Sequence, residues 1–147
     1  MKFSDIDKEQ WPQLRTYLDT ILLPVTGLSG SEEPWEATQG LEELRDLIDA
    51  AEAPFRGRIV VYPAYHYVSE FPIDEELQRI CSRLRASGFV NVIIATRGEI
   101  RLQTDNHYYD LVLSYSYYKG STGVDMKKDV QVKIVSMWNA KLTHPNM

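Results

Sequence analysis

Cysteine is almost absent from this sequence of 147 residues, which contains only Cys81. An intrachain disulfide is therefore excluded, and the fold has to be held by an ordinary core. Cys81 falls among apolar residues at helical spacing, so we expect it to be a small core residue.

Long apolar runs are also missing. No segment approaches the roughly 20 apolar residues that a membrane helix requires. No charged segment followed by an apolar one opens the chain, so we expect no signal peptide and no membrane insertion. Together with the single cysteine, these absences favour a reducing, cytoplasmic location.

Positive charge is scarce. The chain has 16 basic and 21 acidic residues, a net charge of −5 and a pI near 5.2. The one adjacent basic pair, Lys127 and Lys128, is flanked by Asp125 and Asp129. Because domains that bind nucleic acids usually carry a basic face, we expect no nucleic-acid partner.

The common signatures of chemistry are absent as well. The sequence has no Gly-x-Gly-x-x-Gly or Gly-x-x-x-x-Gly-Lys-Ser/Thr loop and no Gly-x-Ser-x-Gly elbow. It has no His-Glu-x-x-His or Cys-x-x-Cys pair for zinc, and we interpret His107, between Asp105 and Asp110, as a loop residue. We therefore predict no cofactor, no metal site and no catalytic residue, and we lean against an enzyme.

What the sequence does contain is a series of short apolar runs. The most regular is Ile59 to Tyr62, which lies between Gly57 and Pro63 and is apolar on both faces. Such a run is typical of a buried parallel strand that ends at the proline. The predicted strands are Thr20–Val25, Arg58–Tyr62, Val90–Thr96 and Leu111–Tyr115, with a short edge strand near Ile100 as an option.

Helical patterns separate these runs. A short helix is predicted around Trp11 to Leu18, and an amphipathic helix around Leu41 to Ala51. A third helix follows Pro72 and ends at Gly88 in a left-handed conformation. The segment 126–138 fits a strand or a helix, and we favour the helix because of its length. We interpret the segment 117–123 as a loop.

This alternation predicts the fold class. We expect a single α/β domain over residues 1–147, with three layers and a mostly parallel sheet of four to five strands. Helices would cover both faces, as in flavodoxin-like or Rossmann-like domains. Several strand orders remain open for such a sheet, and among them we expect the flavodoxin-like order 2-1-3-4.

A candidate ligand site follows from that fold. Ligands of open α/β sheets bind outside the carboxyl ends of the strands. Tyr65 and His66 follow the second strand and Arg97 follows the third, so this edge would offer a guanidinium, an imidazole and a phenol. The alternative is that these side chains make only local structural contacts, with Arg97 paired to Glu99 or Asp105.

Tyrosine is the most abundant aromatic residue and concentrates late in the chain. Five of the nine tyrosines lie between Tyr108 and Tyr118. Since a phenol combines apolar area with a polar group, we expect part of this cluster to be exposed and to contact a second copy or another protein. Tyr117 and Tyr118 are the residues we assign to that interaction.

Two segments carry a family resemblance. Tyr17 to Thr20 leads into Leu22-Leu23-Pro24, and Phe55 to Arg58 leads into Tyr62-Pro63-Ala64. In these segments, and as far as Tyr67, the chain resembles the YpiF-type proteins of Bacilli, an uncharacterised family with a domain of unknown function. The resemblance implies a small cytoplasmic α/β protein of Gram-positive bacteria and implies no activity.

Three functions remain open at this point. The first is a non-catalytic accessory or protein-interaction domain, which we favour. The second is a domain that binds a small molecule or nucleotide at the carboxyl edge. The third is an enzyme that uses His66 or Asp19 as an acid or base.

Overall fold

The computed structural model of the chain describes residues 1–66, 73–98, 100, 108–120 and 123–143. Its helices are α1 (Trp11–Leu14), α2 (Pro34–Glu52), α3 (Ile73–Ala86), α4 (Tyr115–Lys119) and α5 (Met126–Thr143). Its strands are β1 (Thr20–Val25), β2 (Ile59–Val61), β3 (Asn91–Thr96) and β4 (Leu111–Ser114).

The four strands form one parallel sheet in the order β2-β1-β3-β4. In register, Ile21 lies opposite Val60 on one side, and Ile94 lies opposite Val112 on the other edge of β3. Parallel neighbours need crossover connections, which α2 and α3 supply between the first three strands. The predicted strands and their order are confirmed.

Helices cover both faces of the sheet. On one face, Leu22 and Ile93 pack in a cluster with residues of α2 and α5. On the other face, Ile21 and Ile94 pack in a cluster with residues of α3, and Trp11 of α1 joins them. Successive strand residues point to opposite faces, which explains why the buried strands are apolar throughout. The predicted three-layer α/β class is confirmed.

Two prolines explain why β2 is only three residues long. In β1, the carbonyl groups of Leu22 and Pro24 accept hydrogen bonds from Tyr62 and Tyr65, so both residues face β2. Pro24 has no N–H to donate to that neighbour, and Pro63 interrupts β2 at the same level. The pairing resumes for one residue, because Tyr65 N donates to Pro24 O at 2.8 Å.

The ends of the long helices follow their sequence signals. Pro34 opens α2, and the carboxylate of Glu36 accepts from the N–H of Glu33, as in a capping box. Acidic residues open α3. Gly88 has φ = 113°, and the N–H of Phe89 reaches back to Leu84 O. The predicted left-handed end of α3 is confirmed.

The segment after β4 differs from the prediction. We expected a loop from residue 117, but Tyr115–Lys119 forms the helix α4, which packs on α2. The ring of Tyr118 lies in the core with residues of α2 and α5. This burial decides the local structure, and the glycines at 120 and 123 follow the helix.

The last segment is a helix, as favoured. Val130, Ile134, Met137 and Trp138 of α5 are buried. Near the amino terminus, the first helix is confirmed over Trp11–Leu14, and the buried Leu18 lies beyond its end. The optional edge strand near Ile100 falls mostly on residues outside the described ranges, and Tyr67 and His107 also lie outside them. Within the described ranges, the structure contains no helix with the length and apolar character needed to cross a membrane.

The position of Val60 gives a first prediction. Its side chain is 1% exposed in the middle of β2. In Val60→Asp, an unpaired charge would be buried, which we expect to cost about 4 kcal/mol or more and to abolish cooperative folding. Thermal unfolding followed by circular dichroism measures this.

The matched control is Val132→Asp on α5, where the valine side chain is 62% exposed. We expect its midpoint of unfolding to stay close to that of the parent protein. Equal melting of the Val60 variant and the parent at neutral pH would contradict the assignment of β2 to the core.

Candidate functional site

The carboxyl edge of the sheet contains the three residues predicted to bind a ligand. Val25 of β1 pairs with Tyr65 on one side and with Thr96 on the other. Since neighbouring strands lie about 4.8 Å apart, the backbones of Tyr65 and Thr96 are about 10 Å apart. His66 and Arg97 each follow by one residue, and the chain that leaves β1 runs between them.

The side chains of Tyr65 and Arg97 point to opposite faces of the sheet. Tyr65 packs against the cluster on the α3 face. Arg97 lies over α2 on the other face, where its Nε is 3.8 Å from Glu43 Oε2. His66 is exposed. The structure therefore brings the backbones of these residues to one edge but separates two of the side chains.

Arg97 depends on a glycine of α2. A Cβ atom built on the buried Gly40 would lie 2.9 Å from the guanidinium carbon of Arg97, which is too close. Glu43 also contacts Lys119 Nζ at 3.4 Å, and its side chain is 16% exposed. Two cations thus share one half-buried carboxylate, whereas the predicted partners Glu99 and Asp105 lie outside the described ranges.

The loop from β1 to α2 contains a carboxylate held by backbone donors. Glu32 accepts from Ser29 N at 2.7 Å, from Gly30 N at 2.9 Å and from Ser29 Oγ at 3.0 Å. These hydrogen bonds, that of the Ser29 N–H first, lower the pKa of Glu32 to about 2. In a parallel α/β domain, the donors of this first loop are the ones that an anionic ligand would use.

The two tyrosines assigned to an interaction differ in exposure. Tyr117 is 54% exposed, and Lys133 Nζ lies 4.1 Å from the centre of its ring. Tyr118 is 8% exposed and donates to Asp129 Oδ2 at 2.7 Å. Burial raises the pKa of Tyr118, and the hydrogen bond from Tyr118 lowers the pKa of Asp129. A surface contact can therefore use Tyr117, while Tyr118 is a core residue.

An exposed apolar stripe on α5 escaped the sequence interpretation. Val132, Val135 and Leu142 are 62%, 40% and 79% exposed. They recur at i, i+3 and i+10, which places them within about 80° of one another around the helix axis, outside the face that buries Val130 and Ile134. The signal was present in the sequence, because the alternation around Val130 to Ile134 that resembled a strand arises from a helix with two apolar faces.

A polar network lies at the amino edge. The hydroxyl of Thr20 donates to Asp19 Oδ1 at 2.8 Å and accepts from Trp138 Nε1 at 3.0 Å and Asn91 Nδ2 at 3.1 Å. Arg58 binds the Asp19 carboxylate with Nε and Nη2, and it stacks 4.0 Å from the Trp138 ring centre. Asp19, considered above as an acid or base, is thus held in a structural ion pair.

The part of the chain that the structure describes contains no group of three His, Cys, Asp or Glu side chains that could hold a metal ion. Cys81 is buried in the α3 cluster, and burial raises the pKa of its thiol to about 11. A thiol of that pKa is protonated at neutral pH and is a poor nucleophile.

These features define a small parallel α/β domain with polar groups at both edges of its sheet. A family model described as "Protein of unknown function (DUF2487)" matches residues 9–114, and the chain belongs to this family. The match extends beyond Tyr67, the point to which the sequence resemblance covers the chain well, and ends with β4. No curated protein and no solved structure matches the chain.

The network around Thr20 gives a second prediction. In Thr20→Val, the buried N–H groups of Trp138 and Asn91 lose their acceptor. We expect a loss of about 2–3 kcal/mol in the free energy of unfolding, because buried donors without partners are costly. Urea denaturation followed by tryptophan fluorescence measures it.

Thr26→Val is the matched control. Thr26 is also buried, but its hydroxyl makes only a long 3.4 Å bond to Tyr65 O and a 3.5 Å contact with Leu28 N. We expect a clearly smaller loss there. Equal losses in the two variants would show that the hydrogen bonds accepted by the Thr20 hydroxyl add no more stability than those of an ordinary buried threonine.

The bond between Tyr118 and Asp129 gives a pH-dependent prediction. The lowered pKa of Asp129 means that its contribution to stability is present above the ordinary aspartate pKa and is lost as the pH falls through the lowered value. We expect Tyr118→Phe to lower the free energy of unfolding by about 1–2 kcal/mol at pH 7 and by less near pH 2–3.

Urea denaturation across this pH range measures the difference between Tyr118→Phe and the parent. Tyr117→Phe keeps the ring that Lys133 contacts and serves as the control, with a small difference expected at every pH. A difference for Tyr118→Phe that is constant between pH 7 and pH 2 would rule out the link to Asp129.

Proposed function

We propose that this domain is a non-catalytic accessory module that binds another protein chain. The observation that carries this proposal is the apolar stripe on α5. A helix that already buries Ile134 and Trp138 gains nothing within its own domain from valine and leucine on the opposite side. Exposed apolar groups arranged along one line are typical of a surface that another chain covers.

The geometry of the stripe suits a helix-sized contact. From Val132 to Leu142 the helix rises about 15 Å, or three turns. The small side chain of Ser136 lies beside Val132, one turn along the helix, and is exposed. Tyr117 lies at the flank of the same helix, in contact with Lys133, and adds an exposed aromatic ring. Aromatic residues are enriched at protein interfaces.

The titratable groups with shifted pKa values support a structural role more than a catalytic one. Tyr108 donates to Asp74, Tyr118 donates to Asp129, and Glu32 is held by its own loop. Catalysis needs an acid or base that faces a substrate together with a second group. Each of these shifts is instead explained by a partner within the fold.

The test replaces two residues of the stripe with charged ones. In the double variant Val132→Lys, Val135→Lys we expect the dissociation constant for the partner chain to rise about tenfold or more, because charge in a covered apolar surface is strongly unfavourable. Analytical ultracentrifugation detects a second copy, and a pull-down with tagged parent protein detects another partner. The midpoint of thermal unfolding should change little.

Ser82→Lys with Ala86→Lys on α3 adds the same charge at two exposed positions and should leave association unchanged. Tyr117→Ser should weaken association without unfolding the domain, and Tyr118 is left intact because it is a core residue. A protein that stays monomeric at about 100 μM and captures no partner would refute the proposal, as would equal effects of the two lysine pairs.

The second candidate is a domain that binds a small molecule or nucleotide with Tyr65, His66 or Arg97. The strand order favours it, because the chain reverses direction across the sheet between β1 and β3, where ligands of such folds bind. Glu32 weakens the candidate for anionic ligands, since its carboxylate already uses the donors of the first loop. An enzyme that uses His66 would share this edge.

The resemblance adds further proposals. We propose that residues 1–147 form a single domain of flavodoxin-like or Rossmann-like type in a cytoplasmic protein related to the YpiF-type proteins of Gram-positive bacteria. The buried, protonated thiol of Cys81 suits a reducing compartment.

A further inference from the structure

A groove lies at the outer edge of the sheet, beside β2. Its volume is ≈ 430 Å³, within the range of about 300–1,000 Å³ that small-molecule sites occupy. Its walls are apolar and come from the amino-terminal segment and from β2 and the residues after it, namely Phe3, Ile6, Trp11, Val60, Tyr62 and Pro63.

Aromatic rings form a fixed wall of this groove. Tyr62 meets the buried Phe89 edge-on, with ring centres 5.5 Å apart. Trp11 packs against the same Phe89 at 5.8 Å. Because Phe89 is 4% exposed and holds both rings, the two faces that line the groove are already in place before a ligand arrives.

Two polar groups of the groove have no partner among the described residues. Lys8, on the rim, makes no ion pair with another residue of the described ranges, and the hydroxyl of Tyr62 makes no hydrogen bond there. Burial raises the pKa of Tyr62, so its hydroxyl stays protonated and able to donate. The other charged residue of the groove, Asp7, already accepts from Gln10 N at 3.2 Å.

We propose that this groove binds a small carboxylate with an aromatic body. The rings of Trp11 and Tyr62 would contact the aromatic part, and the carboxylate would meet the Lys8 ammonium and the Tyr62 hydroxyl. A cation would meet the Lys8 ammonium as well as the carboxylate of Asp7, one oxygen of which accepts from Gln10 N. A neutral ligand would leave the exposed Lys8 hydrated and would lose only the modest gain of an ion pair.

The three tryptophans make the test specific to a site. Trp11 lines the groove, Trp35 is 65% exposed in the first turn of α2 at the carboxyl edge, and Trp138 is buried against Thr20. Each gives one indole N–H signal in a ¹⁵N-correlated NMR spectrum. Titration with 1-naphthylacetate should shift the Trp11 signal and leave the other two in place.

Charge recognition is tested with two analogues and two variants. The dissociation constants of the neutral amide of the probe and of 1-naphthylmethylamine should be at least about two- to fivefold higher than that of the acid. The difference is modest because an exposed ion pair contributes little to the binding free energy. Lys8→Gln should remove the preference for the acid over the amide and leave affinity for the amide unchanged. Lys127→Gln, a surface lysine of α5, should preserve the preference. Tyr62→Phe should weaken binding of the acid and of the amide, whose oxygens accept from the hydroxyl, and should leave binding of the amine, which has no acceptor, unchanged.

Three results would overturn the proposal. One is that the Trp11 signal does not shift at about 5 mM probe, because the dissociation constant would then lie far above that concentration. Another is equal affinity for the acid, the amide and the amine, which would show that the groove binds the apolar ring without recognising the charge of the ligand. The last is a shift of Trp35 in place of Trp11, which would move the site to the carboxyl edge.

Discussion

The structure depends on β1, which is hydrogen-bonded on both sides and covered on both faces. All six of its residues are buried. The strand can occupy this position because its apolar residues alternate between two cores, Leu22 toward α2 and α5 and Ile21 toward α3. Its polar end is satisfied by Thr20, whose hydroxyl joins β3 through Asn91 and α5 through Trp138. One strand therefore fixes the position of elements from both ends of the chain.

The same strand limits the sheet. Pro24 has no donor for β2, and Pro63 stops β2 at the level of Pro24, so the two prolines share a single interruption in the ladder. Any other residue at position 24 would have an N–H that points toward β2, which has already left the sheet at Pro63. The short β2 and the groove beside it both follow from this pair, because Tyr62 and Pro63 leave the ladder and form one side of the groove.

How far the sequence predicts this fold depends on which contacts decide it. The positions of the strands and of α3 follow from local signals, namely two-sided apolar runs, acidic residues that open α3 and Gly88 that ends it. The strand order does not follow from local signals and was expected by analogy with flavodoxin-like sheets. The contacts of the candidate site depend on residues far apart in the chain. The sequence suggests Glu99 or Asp105, both outside the described ranges, as structural partners of Arg97, and the structure adds Glu43 of α2, next to the backbone of Gly40. A glycine inside a helix indicates that another group packs closely against the helix, but the sequence does not identify the side chain that does so.

The adjacent tyrosines show the same limit at the scale of one helical turn. Composition predicts that a tyrosine-rich segment reaches the surface, but in α4 neighbouring side chains are about 100° apart. Tyr118 therefore turns into the core and finds Asp129, while Tyr117 turns toward solvent. Only the packing of α4 against α2 and α5 decides which of the two tyrosines is buried and which is exposed.

The place of α5 bears on both proposals. The family match ends with β4, yet Ile134 and Trp138 of α5 cover Leu22 and Ile93 on one face of the sheet. Without α5 the part of that face that α2 leaves uncovered would meet water, so the helix is needed for the core whatever its outer side does. The groove lies on the other side of the molecule's sheet, with Val60 and Tyr62 on the α3 face. Charge added to the outer side of α5 should therefore leave the groove intact, and the partner chain and the carboxylate can be sought independently.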